Sequence, residues 1–151
     1  MQLHEALATL GNELGVEELQ PDRWGQADIY IDDAIRVSIS GSDENDTLTL
    51  FAPIGALEDP TEAILENLLA ANYIGCGTEG AALFLDESGL LSLKRILPAR
   101  HLSHASWIDA VTRFVNAAEF WLKHHEEGTL AFSDAPPAPL PDLPAHLMIR
   151  V

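Results

Sequence analysis

What this sequence has little of bounds it first. A single cysteine, Cys76, occurs in 151 residues, which excludes an internal disulfide framework and suits a reducing compartment. Basic side chains are scarce. Eight Lys and Arg stand against 24 Asp and Glu, for a net charge of −16, and such a chain repels phosphate backbones, which argues against nucleic-acid partners. Long apolar runs are missing too: stretches such as AALFL (81–85) fall far short of the roughly 20 residues of a membrane span, so no membrane insertion is expected. The opening MQLHEALATL has neither the basic region nor the apolar core of a secretory signal. No cysteine pair and no His-Glu-x-x-His pattern offers a ready metal site.

What is present is a globular composition. Apolar residues make up 47% of the chain and charged residues 21%, enough for one domain with a real core. The charge is uneven: residues 1–70 hold 15 of the 24 acids but only Arg23 and Arg36 as bases. That asymmetry serves solubility, or it steers a basic partner, because a field of one sign raises encounter rates.

Along the chain, Leu3, Leu7, Leu10 and Leu14 recur at helical spacing, with Gly15 as a stop. After a polar connector the period changes to two. Ile29 and Ile31 share one strand face, Asp32-Asp33 marks a turn, and Ile35, Val37 and Ile39 share a face of the next strand. The loop GSDEND (41–46) leads to a third alternating set, Leu48, Leu50, Ala52 and Ile54, and the three strands read as an antiparallel meander. Asp59, Pro60 and Glu62 form a capping pattern for a helix carrying Ile64, Leu65, Leu68, Leu69 and Tyr73 on one face. Alternating leucines on either side of Asp86–Gly89 predict a hairpin over 81–97, ended by Pro98. Ser106 and Asp109 resemble a helix start, and Trp107, Val111, Phe114, Val115, Ala118, Trp121 and Leu122 keep helical spacing toward Gly128. The expected class is therefore α+β, in the order α-β-β-β-α-β-β-α, a twisted antiparallel sheet packed with three helices over residues 1–128. Residues 129–151 form a second segment: five prolines fall within DAPPAPLPDLP (134–144), which predicts an extended tail. Its apolar end, Leu147 to Val151, reads first as a frayed terminus, with docking on the body or on a neighbouring subunit as the other reading.

One stretch tempts a nucleotide reading. GCGTEG (75–80) spells the GxGxxG fingerprint, which requires the order strand, glycine turn, helix. Here it follows a helix and enters a strand, so the nearest helix end is the negative C-terminus, and Glu79 adds a further negative charge. The glycines read as a helix stop and turns, and no cofactor is expected. His101 and His104, and the adjacent His124 and His125, lack any supporting ligand pattern for a metal. No local motif frames Cys76 as a nucleophile, and acids this abundant single out no carboxylate pair. No catalytic residue is therefore assigned.

The combination of a small, strongly acidic, cysteine-poor chain with this element order resembles the class I type III secretion chaperones, the Tir chaperone (CesT) family. The most similar stretches are LTLFAPIG (48–55), ILENLLAANYI (64–74), AALFLDESGLLSLKRIL (81–97) and WIDAVTRFVNAAEFW (107–121); the Pro-rich tail departs from the pattern. The resemblance implies a non-enzymatic homodimer in the bacterial cytoplasm that holds the N-terminal segment of a secreted effector extended and ready for export, with an ATPase of the secretion apparatus as a further partner. It points to Leu65, Leu69, Tyr73, Leu83 and Leu85 as dimer contacts, and to Leu3, Leu7, Leu10, Ile29, Ile31 and Leu50 as effector-binding residues. Each of these is also a residue type that fills a plain core. A small ligand-binding domain or enzyme with a pocket on the same sheet, and an acidic adaptor for a folded partner, stand as the other readings.

Overall fold

The computed structural model describes residues 1–16, 19–74 and 77–131. Its elements follow the expected order: α1 (Leu3–Leu14), β1 (Gln26–Ile31), β2 (Ile35–Ser42), β3 (Thr47–Ala56), α2 (Glu62–Ile74), β4 (Ala82–Leu85), β5 (Leu90–Pro98) and α3 (His104–Glu126). The five strands form one antiparallel sheet in the order β1-β2-β3-β5-β4, so β1 and β4 are its edges. Of the expected tail, residues 129–151, only 129–131 are described; the Pro-rich stretch lies outside the described residues.

Alternation decides the two faces of the sheet. Ile35, Val37 and Ile39 of β2, Leu48, Leu50, Ala52 and Ile54 of β3, and Leu91, Leu93 and Leu97 of β5 point to one side and are buried. The helices cover that side. Trp107 and Phe114 of α3 are fully buried over it, and the Trp107 indole N–H donates to the Ala6 carbonyl at 2.9 Å, tying α3 to α1. The other face carries Tyr30, Arg36, Thr49, Phe51, Phe84, Lys94 and Ile96 and has no helix over it among the described residues. Register between β3 and β5 shifts between Pro53 and Gly55; a proline, lacking an N–H, is tolerated inside a sheet at such an irregularity.

Three local expectations change. The cap of α2 is Thr61, whose Oγ1 accepts from the Ile64 N–H at 3.3 Å, whereas Asp59 adopts a left-handed φ of 50° and turns the chain before the helix. Helix α3 begins earlier than Ser106, because Ser103 Oγ accepts the Ser106 N–H at 3.1 Å and caps it from further upstream. The apolar stripe of α2 is split: Leu68 faces the body and is buried, while Leu65, Leu69 and Tyr73 face outward. Gly15 stops α1 as expected, with φ +67° and its N–H on the Gly11 carbonyl.

Past α3 the chain stays on the body as far as Leu130, which is buried and accepts a bond from Asn67 Nδ2 of α2 at 3.1 Å.

Candidate protein-binding surfaces

The two sheet edges differ in a way that only the topology reveals. At β4 the edge is capped at Leu83. Asn72 of α2 donates through Nδ2 to the Leu83 carbonyl at 2.8 Å and accepts the Leu83 N–H through Oδ1 at 2.7 Å, so one amide replaces the next strand. Beside this cap runs an open apolar groove of about 310 Å³, lined by Leu65, Leu68, Leu69, Asn72, Leu83, Phe84, Leu85 and Leu91. Leu69 is 70% exposed and Tyr73, one turn on, 86%. Large apolar side chains left this open on one helix face mark an interaction surface.

At β1 the edge is open. The Gln26 N–H bonds to the Asp22 carboxylate at 3.0 Å and the Gln26 carbonyl accepts the Asp22 N–H at 2.7 Å, so both Gln26 groups point away from β2. In an antiparallel strand this direction alternates. The N–H and C=O of Asp28 and Tyr30 therefore also point away from β2, with no strand beyond them among the described residues. Trp24, 76% exposed, and Tyr30, 64% exposed, flank this row, and the Arg23 guanidinium lies 4.8 Å over the Trp24 ring.

The electrostatics are polarised. Asp28 sits on the helix-free sheet face; partial burial alone would raise its carboxyl, but bonds from Ser38 Oγ at 2.6 Å, from Gln26 and from Arg36 at 2.8 Å outweigh it and hold the group below its ordinary value. At the end of the sheet where the β1–β2 turn, the β3–α2 connector, the β4–β5 turn and the α3 terminus lie, Asp32, Asp33, Glu58, Asp59, Asp86, Glu87, Glu126 and Glu127 gather. None of them enters an ion pair among the described residues. Asp86 is held low by the Ser88 hydroxyl and the Leu90 N–H, which make it a turn acceptor.

Of the residues singled out from sequence, Leu65, Leu69, Leu83 and Leu85 converge on the α2–β4 groove, Leu83 as buried floor and Leu65 and Leu69 as exposed wall, with Tyr73 further along the same helix. Leu7, Leu10, Ile29 and Leu50 are interior to the protomer, because α1 and α3 lie over that side of the sheet; Leu3 and Ile31 pack against the core with part of their surface free. Trp24, Tyr30 and Phe84 were missed. For Tyr30 and Phe84 the signal was present: each sits between two apolar residues of an alternating strand and so points to the opposite face.

The glycine stretch behaves as a turn. Gly77 and Gly80 have φ of +75° and +81°, the Trp121 indole N–H donates to the Gly77 carbonyl at 2.8 Å, and β4 comes next. Gly75 and Cys76 lie outside the described residues. The histidines of the α3 region have local partners: His104 bonds Glu5 at 3.0 Å, His124 bonds Thr129 Oγ1, and His125 donates through Nε2 to the Ala56 carbonyl at 2.8 Å. Among the described residues no three His, Cys, Asp or Glu side chains converge as metal ligands, and no helix is long and apolar enough to cross a membrane.

This arrangement, a five-stranded sheet with one helix-covered face and an apolar second helix at its edge, has known counterparts. The family model of the Tir chaperone protein (CesT) family matches residues 5–122. The chain belongs to the Tir chaperone protein (CesT) family. A chain of the ExsC–ExsE complex is similar in fold, with a TM-score of 0.68 and 22% identity over 80% of this chain and 91% of that one. The Yersinia pestis type III secretion chaperone SycH, in complex with a stable fragment of YscM2, gives 0.64 and 22% over 79% and 98%. The HopA1–SchA chaperone–effector complex gives 0.64 and 21% over 79% and 91%. No curated protein matches this CesT-family chain in sequence.

Proposed function

We propose that this chain is a type III secretion chaperone of the bacterial cytoplasm, without enzymatic activity, that binds the N-terminal segment of a cognate effector, keeps it soluble and partly unfolded, and delivers it for export. The observation that carries the reading is the pairing of one open sheet edge with one exposed apolar helix face in a CesT-family fold. In this reading Leu65, Leu69, Tyr73, Phe84 and Leu85 join two copies across the α2–β4 groove. The β1 edge, with Trp24, Tyr30, Leu3 and Ile31 around it, takes an extended client segment.

The physics suits the task. An extended client gains main-chain hydrogen bonds from an open edge and side-chain contacts from neighbouring apolar surface, many weak interactions that impose no globular fold. A dimer supplies two such edges and therefore a multivalent hold. The net charge keeps the complex soluble and favours a basic client segment.

The test is capture of bound polypeptides by the tagged chain from its host, with the bound region trimmed by limited proteolysis. One main partner, protected over an N-terminal stretch alone, is expected. A partner protected uniformly as a folded body would make this an adaptor, and a retained small molecule with no polypeptide would make it a ligand-binding domain.

A further inference from the structure

The helix-free face of the sheet hides a residue that alternation should leave in solvent. Ser92 of β5 lies between Leu91 and Leu93, which point to the covered side, and opposite Pro53 of β3 and Phe84 of β4. It therefore belongs to the face that carries Phe51 and Lys94. Ser92 is nevertheless 1% exposed, and its Oγ has no hydrogen-bond partner among the described residues. A buried hydroxyl without a partner is costly and uncommon.

A pair of rings accounts for the burial. Phe51 and Phe84 stand on the two strands that flank β5, two strand spacings or about 9.6 Å apart. Their ring centroids are only 5.9 Å apart, with the planes at 44°. The rings thus lean toward each other across β5 and close over the serine. Phe84 is still 37% exposed, and exposed side chains change rotamer within picoseconds to nanoseconds, so the roof can part.

The next residue of β5 on this face is Lys94, opposite Phe51 and Ala82. It is exposed and enters no ion pair among the described residues. The other charged side chains of this face, Asp28 and Arg36, neutralise each other at 2.8 Å. In a chain of net charge −16, this face is locally positive. Ser92 and Lys94 are two donors on adjacent outward positions of one strand, and an ionised carboxylate is an acceptor only. A carboxylate entering between the rings would accept from Ser92 Oγ and from Lys94 Nζ. The ring edges carry partial positive charge, and Ile96, 58% exposed, adds an apolar wall.

We infer that Ser92 and Lys94, between Phe51 and Phe84, form a site for one Asp or Glu side chain of the client segment, set among apolar residues. The inference rests on the chaperone reading above. Three strand spacings, about 14 Å, separate β5 from the β1 edge, a span that roughly five extended residues cross. The field of the whole chain favours a basic client, whereas this site asks for one acid at one place. It therefore sets the register of the client: a base there meets Lys94, and an apolar residue leaves Ser92 without a partner.

The test uses the client fragment captured from the host and trimmed by proteolysis, with its affinity for the full-length chain measured by calorimetry. Lys94→Gln is expected to weaken binding about tenfold and Ser92→Ala about fivefold. In the free chain Ser92→Ala should leave the urea midpoint unchanged or raised, because it removes an unpartnered hydroxyl; a lowered midpoint would mean that the hydroxyl already has a partner, and overturns the site. Each Asp and Glu of the fragment is then replaced by Asn or Gln. One replacement should weaken binding to wild type as much as Lys94→Gln does, and weaken binding to that variant less than about twofold further, the mark of one shared contact. Affinity of Lys94→Gln within about twofold of wild type, or acid replacements that act equally on both proteins, overturns the inference and leaves the chaperone reading standing. A changed dimer dissociation constant with unchanged fragment affinity also overturns it and assigns the face to a second copy. If no polypeptide is captured, both fail.

Discussion

Leu69→Ala is the sharpest perturbation of the proposed dimer face. In the protomer Leu69 is 70% exposed, so its truncation removes little of the core and should leave folding within about 0.5 kcal/mol of wild type. Full burial of a leucine contributes about 2 kcal/mol, and seven-tenths of that remains to be gained at an interface. Each copy then contributes roughly 1.4 kcal/mol, and a symmetric dimer loses about 3 kcal/mol, close to two orders of magnitude in dissociation constant. Sedimentation equilibrium over a concentration series measures this directly. Leu68→Ala is the matched control. Leu68 is buried beneath the same helix, so its loss should cost about 2–4 kcal/mol of folding stability. A Leu69→Ala dimer within twofold of wild type, or a wild type that is monomeric at micromolar concentration, would rule out a dimer seated on Leu69.

Three further outcomes rest on particular contacts. Asn72→Ala removes both bonds to Leu83 and should cost about 2–3 kcal/mol by leaving two edge groups unpaired; light scattering should show added aggregation through the opened β4 edge, and an unchanged urea midpoint would show that water replaces the amide fully. Gly55→Ala would drive a methyl group into the His125 ring and displace its bond to Ala56, at about 1–3 kcal/mol, read as a lowered thermal midpoint; Gly128→Ala, where a Cβ meets nothing within 4 Å but φ is +67°, should cost only about 1 kcal/mol of backbone strain. Asp28 and Glu5 are held below their ordinary values of 3.8 and 4.5, Asp28 by bonds that outweigh partial burial and Glu5 chiefly by His104. Their stabilising contribution is therefore complete above those values and is lost as pH falls through the depressed ones. The destabilisation caused by Asp28→Asn should shrink between pH 6 and pH 3 in urea titrations, and a penalty that does not change with pH would contradict the assignment.

The strand faces were legible from residues 29 to 54 because a period of two leaves no choice of side once one face is apolar. Every expected inward residue of β2 and β3 is buried. The cap of α2 was misplaced because Asp59 and Thr61 both carry a side-chain acceptor, and only the backbone at Asp59, left-handed rather than extended, decides between them. The binding residues were harder. Periodicity places Leu7, Leu10 and Leu50 on an apolar face but is silent on what that face meets, and here it meets α3 or lies beneath it. Leu65, Leu68 and Leu69 fall on one stripe in sequence, yet α2 packed against β4 buries one and leaves two exposed. That β4 and not β5 forms the edge opposite β1 depends on β5 inserting between β3 and β4, a non-local pairing that no window of sequence contains.

If this CesT-family chain serves export of an effector, its absence changes what the host bacterium secretes, and secretion with and without the chain is the most direct measurement. Deletion should remove one polypeptide from the medium and lower its soluble amount inside the cell, while its transcript is unchanged. Restoring the chain should return both. An unaltered set of secreted proteins, with the captured partner still soluble and exported, would contradict the claim.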